Sequence, residues 1–343
     1  MKIGQRQIGP DEEPYIVAEL SANHNGNIKL AREMIEAAAD CGADAVKVQC
    51  YTADSICAND GTVVEGGPWA GKKLYELYKE AETPPAMVKE MFEYAKSRKI
   101  TLFSSVFDFA GVDFVSKLGV ECIKIASFEL TDTPLIRYAA STGLGVIIST
   151  GMGTSQEVIA AINAYNAGNL APLPNLGLLH CVSSYPARAD EANLPALGPL
   201  SDLLGGRHVV GFSDHTLGIG SAVAAVAWGA SIIEKHFILD RCLGGPDSSF
   251  SMEPHQFSAM VKAVREAWQA TRHSAPKKPY VAYRKSLHIV CDLKEGDLFS
   301  PENLRILRPS TGLAASSYAS VLGRPASRDL KAGTPLQPDM FVS

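Results

Sequence analysis

No apolar run in this chain approaches the roughly 18 residues of a membrane span, so a protein working away from the bilayer is expected. Charge of one sign is not concentrated either. Lys plus Arg total 32, Asp plus Glu total 37, the net charge is -5, and no basic block occurs. That leaves no electrostatic footprint for nucleic acid. Cysteine is sparse and unpaired in pattern: Cys41, Cys50, Cys57, Cys122, Cys181, Cys242 and Cys291 are odd in number and include no CxxC. Such spacing builds neither a disulfide framework nor a structural zinc site, and it suits a reducing compartment. HExxH, the zinc-protease signature, is also missing. The opening MKIGQRQIGPDEEP lacks the apolar core of a secretion signal, so a cytoplasmic location is expected.

What is present is a rhythm. The 343 residues are 46% apolar and 20% charged, enough for one large domain and a small one. Short β-rich apolar runs recur as YIVAEL (15–20), AVKVQCY (45–51), TLFSSVF (101–107), CIKIASF (122–128), GVIIST (145–150), LGLLHCV (176–182), HVVGFS (208–213) and SIIEKHF (231–237). Runs this short, bounded by Gly, Asp, Asn or Thr, suit fully buried parallel strands. Between them lie segments with helical spacing, such as 28–43, 84–99, 154–168 and 221–230. Eightfold alternation of strand and helix predicts a (β/α)8 TIM barrel. Segment 52–83 is too long for an ordinary βα loop and is expected to form a lid with a helix in GKKLYELYKEA. The barrel domain is expected over 1–272, a Pro/Lys-rich linker over 273–280, and a small domain of short β pieces and turns over 281–343. A domain that small is marginal alone and usually docks on something.

In a TIM barrel the active site sits at the C-terminal ends of the strands. Every predicted strand here ends polar: Glu19; Lys47 and Gln49; Ser104 and Ser105; Lys124, Ser127 and Glu129; Ser149 and Thr150; Ser183 and Tyr185; Ser213, Asp214 and His215; Glu234 and His236. Each has a plain structural reading. A strand-end serine usually caps the next helix, and Ser104 is read that way. A lone histidine is usually a satisfied structural group. A lysine inside an apolar strand is harder to dismiss, because an unpaired buried ammonium is costly or shifts its pKa. Lys47 and Lys124 with serine hydroxyls suit a phosphate or carboxylate. His215 and His236, from adjacent strands, could converge on one divalent cation and leave positions open for substrate. The residues by themselves imply a metal-assisted enzyme for a small anionic, phosphorylated molecule.

Several stretches resemble a known family. IVAELSANHNGN, GADAVKVQCYTAD, KIASFELTD, IISTGM, FSDHTLGIG, IEKHFILDR and GGPDSSFSMEP resemble, in that order, the sialic acid synthase family. The C-terminal segment resembles its antifreeze-like (SAF) domain. LYELYKEAETP and IASFELTD are most similar to the pseudaminic branch, and Ser21 and Ser183 stand where the N-acetylneuraminate branch usually has Gly and Asn. Val182, Pro246 and Ser248 are departures that bear on the sugar's stereochemistry.

The resemblance implies condensation of phosphoenolpyruvate with the open-chain aldehyde 2,4-diacetamido-2,4,6-trideoxy-L-altrose, water releasing phosphate. N-acetylneuraminate or legionaminic acid formation is the alternative. It further implies a divalent metal (Mn2+, Mg2+ or Co2+) on His215 and His236, and Glu19 and Asp247 orienting water. Glu129 would be a second acid or base. Lys47, Lys124, Ser127, Ser149, Ser183 and Ser213 would surround the phosphate, with Ser105 and Gln49 near the carboxylate end and Tyr185 lining the pocket. Arg308 would reach a sugar N-acetyl group in the partner's site of a domain-swapped homodimer. Two rivals are a Schiff-base aldolase using Lys124 or Lys47, and a non-enzymatic carbohydrate- or ice-binding protein.

Overall fold

The β-rich runs are buried along nearly their whole length, and a parallel sheet covered on both faces is the arrangement that satisfies them. In the structure, a computed structural model describing residues 1–170, 175–205, 209–272 and 280–342, a short hairpin of β1 (Lys2–Ile3) and β2 (Arg6–Gln7) precedes the barrel. The barrel strands are β3 (Tyr15–Glu19), β4 (Ala45–Cys50), β5 (Thr101–Val106), β6 (Cys122–Ile125), β7 (Gly145–Ser149), β8 (Leu176–Cys181), β9 (Val209–Asp214) and β10 (Ile232–His236). They run in chain order and close where β10 pairs with β3. His208 and most of the expected linker, 273–279, lie outside the described residues.

Side chains alternate across a strand, so odd and even positions separate into two cores. Tyr15, Val17, Ala45, Phe103, Cys122, Ile147, Leu179, Val209 and Ile232 fill the barrel floor, together with Ile3 and Ile8 around the hairpin. Two residues further along, the inward positions turn polar. The intervening residues, such as Ile16, Val46, Ile123 and Ile233, face outward onto the helices.

Those helices are α1 (Ile28–Asp40), α2 (Ala53–Ile56), α3 (Leu74–Ala81), α4 (Pro85–Ser97), α5 (Phe109–Leu118), α6 (Thr133–Ser141), α7 (Ser155–Gly168), α8 (Leu197–Leu203), α9 (Gly220–Ala227) and α10 (Pro254–Arg272). Local signals start and stop them. Asn27 accepts from the Lys29 and Leu30 amides, Thr154 and Glu157 form a capping box, and Gly119 ends α5 in the left-handed conformation, φ 83°.

Three expectations need correction. Ser104 is no helix cap: its hydroxyl donates to the Val48 carbonyl at 3.2 Å, and Asp108 caps α5 instead. β6 stops at Ile125, and Ser127–Glu129 form a 3-10 turn rather than strand. In segment 52–83 the helix begins at Leu74, since Gly71 has φ 86°, and α2 precedes it.

Residues Met1–His273 form one compact unit and Ser274–Ser343 a second. The second has its own core of Leu287, Ile289, Phe299, Leu304, Val321 and Leu336, around the antiparallel pair β11 (Ser286–Ile289) and β12 (Leu304–Leu307). Among the described residues, no helix is long and apolar enough to cross a membrane.

One ion pair lies on the outer face of the barrel. Lys235 Nζ is 2.8 Å from Asp214 Oδ2, with side-chain exposures of 1% and 0%. The same ammonium donates to the carbonyls of Thr216 and, at 3.1 Å, Gly218. Removing one partner strands a buried charge, so Lys235→Met should lower the unfolding free energy by about 3–5 kcal/mol. Urea denaturation reads this directly; a loss below about 1 kcal/mol, the scale of an exposed pair, would show the pair to be incidental.

Candidate active site

Above the apolar floor, the inward positions are Glu19, Lys47, Ser105, Lys124, Ser149, Ser213 and Glu234, each buried. Closure of the sheet makes these side chains neighbours. Lys47 Nζ lies 2.8 Å from Glu19 Oε2 and 3.4 Å from Glu234 Oε1, and donates to Ser105 Oγ at 3.1 Å. Lys124 Nζ reaches Glu234 Oε2 at 3.5 Å, and Ser213 Oγ donates to Glu234 Oε1 at 3.1 Å. Burial alone would raise the Glu234 pKa, but Lys124 and Lys47 outweigh it and hold the carboxylate at about 2. Burial leaves Glu19 raised despite Lys47. Against the cost of burial, Glu19 and Glu234 keep Lys47 above the usual lysine value, whereas burial leaves Lys124 below it.

The other half of the mouth carries the imidazoles. His215 Nδ1 lies 2.7 Å from the Val182 carbonyl oxygen. A carbonyl can only accept, so Nδ1 holds the proton and Nε2 keeps its lone pair. Desolvation holds the His215 pKa down to about 4. Burial, then the neighbouring His215, also puts His236 well below the histidine range. The rings are 5.6 Å apart. His236 Nδ1 is buried without a hydrogen-bond partner among the described residues, 3.7 Å from Asp247 Oδ2. Burial pushes Asp247 up to about 6, against the hydrogen bond from Ser21. Tyr185 packs on His215 with ring centroids 4.2 Å apart, and Phe250 on His236 at 5.0 Å. Trp69, from the long insertion, packs on Tyr185 and donates its indole N–H to the Pro246 carbonyl at 2.7 Å.

Two neutral imidazoles beside a carboxylate fit a divalent cation, and the partnerless His236 nitrogen is the observation that favours one. Among the described residues, no group of three or more His, Cys, Asp or Glu side chains is spaced to hold a metal. Protein ligation would therefore come from the two imidazoles, with water and substrate oxygens completing the shell.

A third feature is a pair of serine hydroxyls packed against a glycine. Ser127 Oγ and Ser183 Oγ are 3.1 Å apart. A Cβ on Gly151, φ 45°, would come within 2.4 Å of Ser127 Cβ and 2.6 Å of Ser183 Oγ. Ser149 Oγ is buried without a hydrogen-bond partner among the described residues. Hydroxyls with spare donors around a glycine suit an anion's oxygens.

This geometry can be set beside known proteins. The NeuB family pattern matches residues 34–275, and the SAF domain pattern matches 284–342. The chain belongs to the NeuB family. It is 38% identical over 337 residues to the pseudaminic acid synthase of Helicobacter pylori, covering 96% of this chain and 98% of that one. It is 39% identical over 347 residues to the N,N'-diacetyllegionaminic acid synthase of Legionella pneumophila, covering 97% and 96%. The crystal structure of the N-acetylneuraminic acid synthetase of Leptospira borgpetersenii aligns with TM-score 0.73 at 32% identity, over 81% of this chain and 92% of that one. This NeuB member is thus an enzyme of the same synthase type.

The residues singled out from sequence separate into those the barrel gathers and one it does not. Glu19, Lys47, Gln49, Ser105, Lys124, Ser213, His215, His236 and Asp247 are linked by the contacts above and by Gln49, whose amide donates to Glu19 at 3.2 Å. Ser127 and Ser183 meet beside Gly151, and Ser149 is buried at the end of β7. Glu129 has a buried Oε2 with no hydrogen-bond partner among the described residues. Arg308 belongs to the second unit, where it is exposed and makes no hydrogen bond or ion pair with the described residues. Glu234 was visible at a strand end but had no assigned role; it is the anion both lysines share. Trp69 was missed altogether, and its one signal was a lone tryptophan in the insertion GGPWAG.

Burial raises the Glu129 pKa to about 7 from 4.5. The folded state then binds this proton more tightly than the unfolded chain, so its contribution fades as pH rises through about 7. Glu129→Gln should therefore gain stability relative to wild type between pH 5 and pH 8, measured by urea unfolding at both. An unchanged difference would mean the carboxyl is not held protonated.

Proposed function

We propose that this enzyme condenses phosphoenolpyruvate with 2,4-diacetamido-2,4,6-trideoxy-L-altrose and water, giving pseudaminic acid and phosphate. The observation that carries the reading is the junction of a lysine and hydroxyl cluster with two neutral imidazoles in one barrel mouth. The first half is built for a small polyanion and the second for a carbonyl. The Leptospira synthetase was crystallised with citrate, a polycarboxylate.

In this reading Lys47 and Lys124 neutralise the phosphate, with Ser127, Ser149, Ser183 and Ser213 around it, and Ser105 and Gln49 hold the carboxylate end. A divalent cation (Mn2+, Mg2+ or Co2+) on His215 and His236 would supply Lewis-acid polarisation of the aldehyde oxygen. C3 of the enol attacks the aldehyde carbon, and the aldehyde oxygen takes a proton to become a hydroxyl. Glu129, with its pKa near 7, can deliver that proton. The electron pair leaving the enol makes C2 an oxocarbenium. Water oriented by Glu19 and Asp247 adds there and gives up a proton to one of them. Asp247, at about 6, is poised to accept it. The bond from C2 to the phosphate oxygen then breaks as the C2 hydroxyl gives its proton to the departing phosphate oxygen, so phosphate leaves and C2 becomes the ketone of the open-chain product. Trp69, Tyr185 and Phe250 present an apolar wall to the sugar, and segment 52–83, which carries Trp69, acts as the lid.

A cytoplasmic, domain-swapped homodimer belongs to the same proposal, with Arg308 reaching a sugar N-acetyl group in the partner's site. Its guanidinium, exposed and without an ion pair among the described residues, supports that role. Schiff-base chemistry at Lys47 is disfavoured, because Glu19 and Glu234 keep the amine protonated.

The altrose derivative, N-acetylmannosamine and the legionaminic precursor, each incubated with phosphoenolpyruvate and Mn2+, test the reading by NMR of the product. Pseudaminic acid with one phosphate released per turnover is expected, lost in EDTA and restored by Mn2+. Turnover of N-acetylmannosamine alone would overturn the choice of sugar, and EDTA-resistant activity trapped by borohydride would overturn the metal mechanism.

A further inference from the structure

Ser21 follows β3 in a left-handed backbone conformation, φ 47°. Glycine enters that region freely, and asparagine, as at the nearby Asn25, more readily than most. A strained residue of another type persists only where its surroundings hold it there. Ser21 is buried, and its hydroxyl is engaged on both sides. It donates to Asp247 Oδ2 and accepts from Gln49 Nε2 at 3.2 Å. The same Gln49 amide donates to Glu19 Oε1 at 3.2 Å, while Asp247 Oδ2 lies 3.7 Å from His236 Nδ1. Glu19, Gln49, Ser21, Asp247 and His236 therefore form a continuous line across the mouth, joining its lysine half to its imidazole half.

Asp247 needs such a support. It lies outside the barrel strands, just before a 3-10 turn at Ser248–Phe250. Among the described residues, the Ser21 hydroxyl is the one hydrogen-bond donor to its carboxylate. A carboxylate on an irregular loop, held by one donor, points where that donor directs it.

We propose that Ser21 is a positioning residue, whose strained backbone places a hydroxyl that aims the Asp247 carboxylate at His236. This rests on the reading of the site as one that holds a divalent cation and activates water. The hydroxyl and the strain can be separated. Ser21→Gly removes both, and Ser21→Ala removes the hydroxyl while keeping the strain.

The test uses the full-length protein and both variants. It measures melting temperature, kcat and KM with phosphoenolpyruvate and the altrose derivative, and Mn2+ affinity by electron paramagnetic resonance without substrates. Ser21→Gly should melt at or above the wild-type temperature, yet lose on the order of tenfold in kcat and in Mn2+ affinity, the scale of lost support to a metal site. Its KM for phosphoenolpyruvate should stay within about twofold, since both lysines are untouched and Gln49 keeps its hydrogen bond to Glu19. Ser21→Ala should show the same losses without the gain in melting temperature. A residue serving the fold alone would shift melting and leave kcat and Mn2+ affinity unchanged, and that result in Ser21→Gly overturns the proposal. Should wild type turn over no sugar, the proposed reaction fails while Mn2+ affinity still decides Ser21. Weaker binding in Ser21→Gly supports it; equal binding, or none in wild type, overturns it.

Discussion

Lys47 sits between Glu19 and Glu234, and Lys124 meets the same Glu234 from the other side of the barrel. All four groups are buried, and an ammonium buried without a partner would be neutralised or expelled. Their mutual pairing is what lets a closed sheet carry charge in its interior. The pairing is also loose enough to be useful. Lys124 stands 3.5 Å from its anion, beyond the best hydrogen-bond distance, so its ammonium keeps donor capacity to spare. Buried ion pairs are weak evidence for stability but good evidence for function when they lie in a cleft.

The imidazole half obeys a different rule. His215 and His236 are kept neutral by desolvation, and the Val182 carbonyl selects the tautomer of His215. Behind them the outward neighbours Asp214 and Lys235 are paired, so the two strands that deliver the imidazoles are also tied together on their far face. Alternation explains the economy: one residue of each strand serves the mouth and the next serves its anchorage. In a TIM barrel such a division sets a floor that serves stability against a rim open to chemistry.

Much of the fold was legible in the linear pattern, because strand burial, helix spacing and caps are local properties. The run AVKVQC already shows Lys47 and Gln49 two apart and therefore on one face. The errors were local competitions. A serine near the end of β5 suggests a cap, but Asp108 offers a better-placed side-chain oxygen. The apolar pattern of CIKIASF continues past Ile125, where the chain instead turns. The rim was legible as a set of residue types and illegible as a set of contacts. Glu234 shows the limit: nothing in SIIEKHF indicates that its carboxylate would join lysines from two other strands.

What the sequence determined by itself was therefore periodicity: which residues face inward, where apolar gives way to polar along each strand, and that the chain alternates strand and helix. Only the tertiary structure decided which inward residues touch. The physical reason is closure. Joining β10 to β3 brings His236 beside Glu19, and folding the 245–251 turn over that seam brings Asp247 to Ser21, across more than two hundred residues of chain. Distances of that kind are set by the curvature of the whole sheet, which no local pattern records.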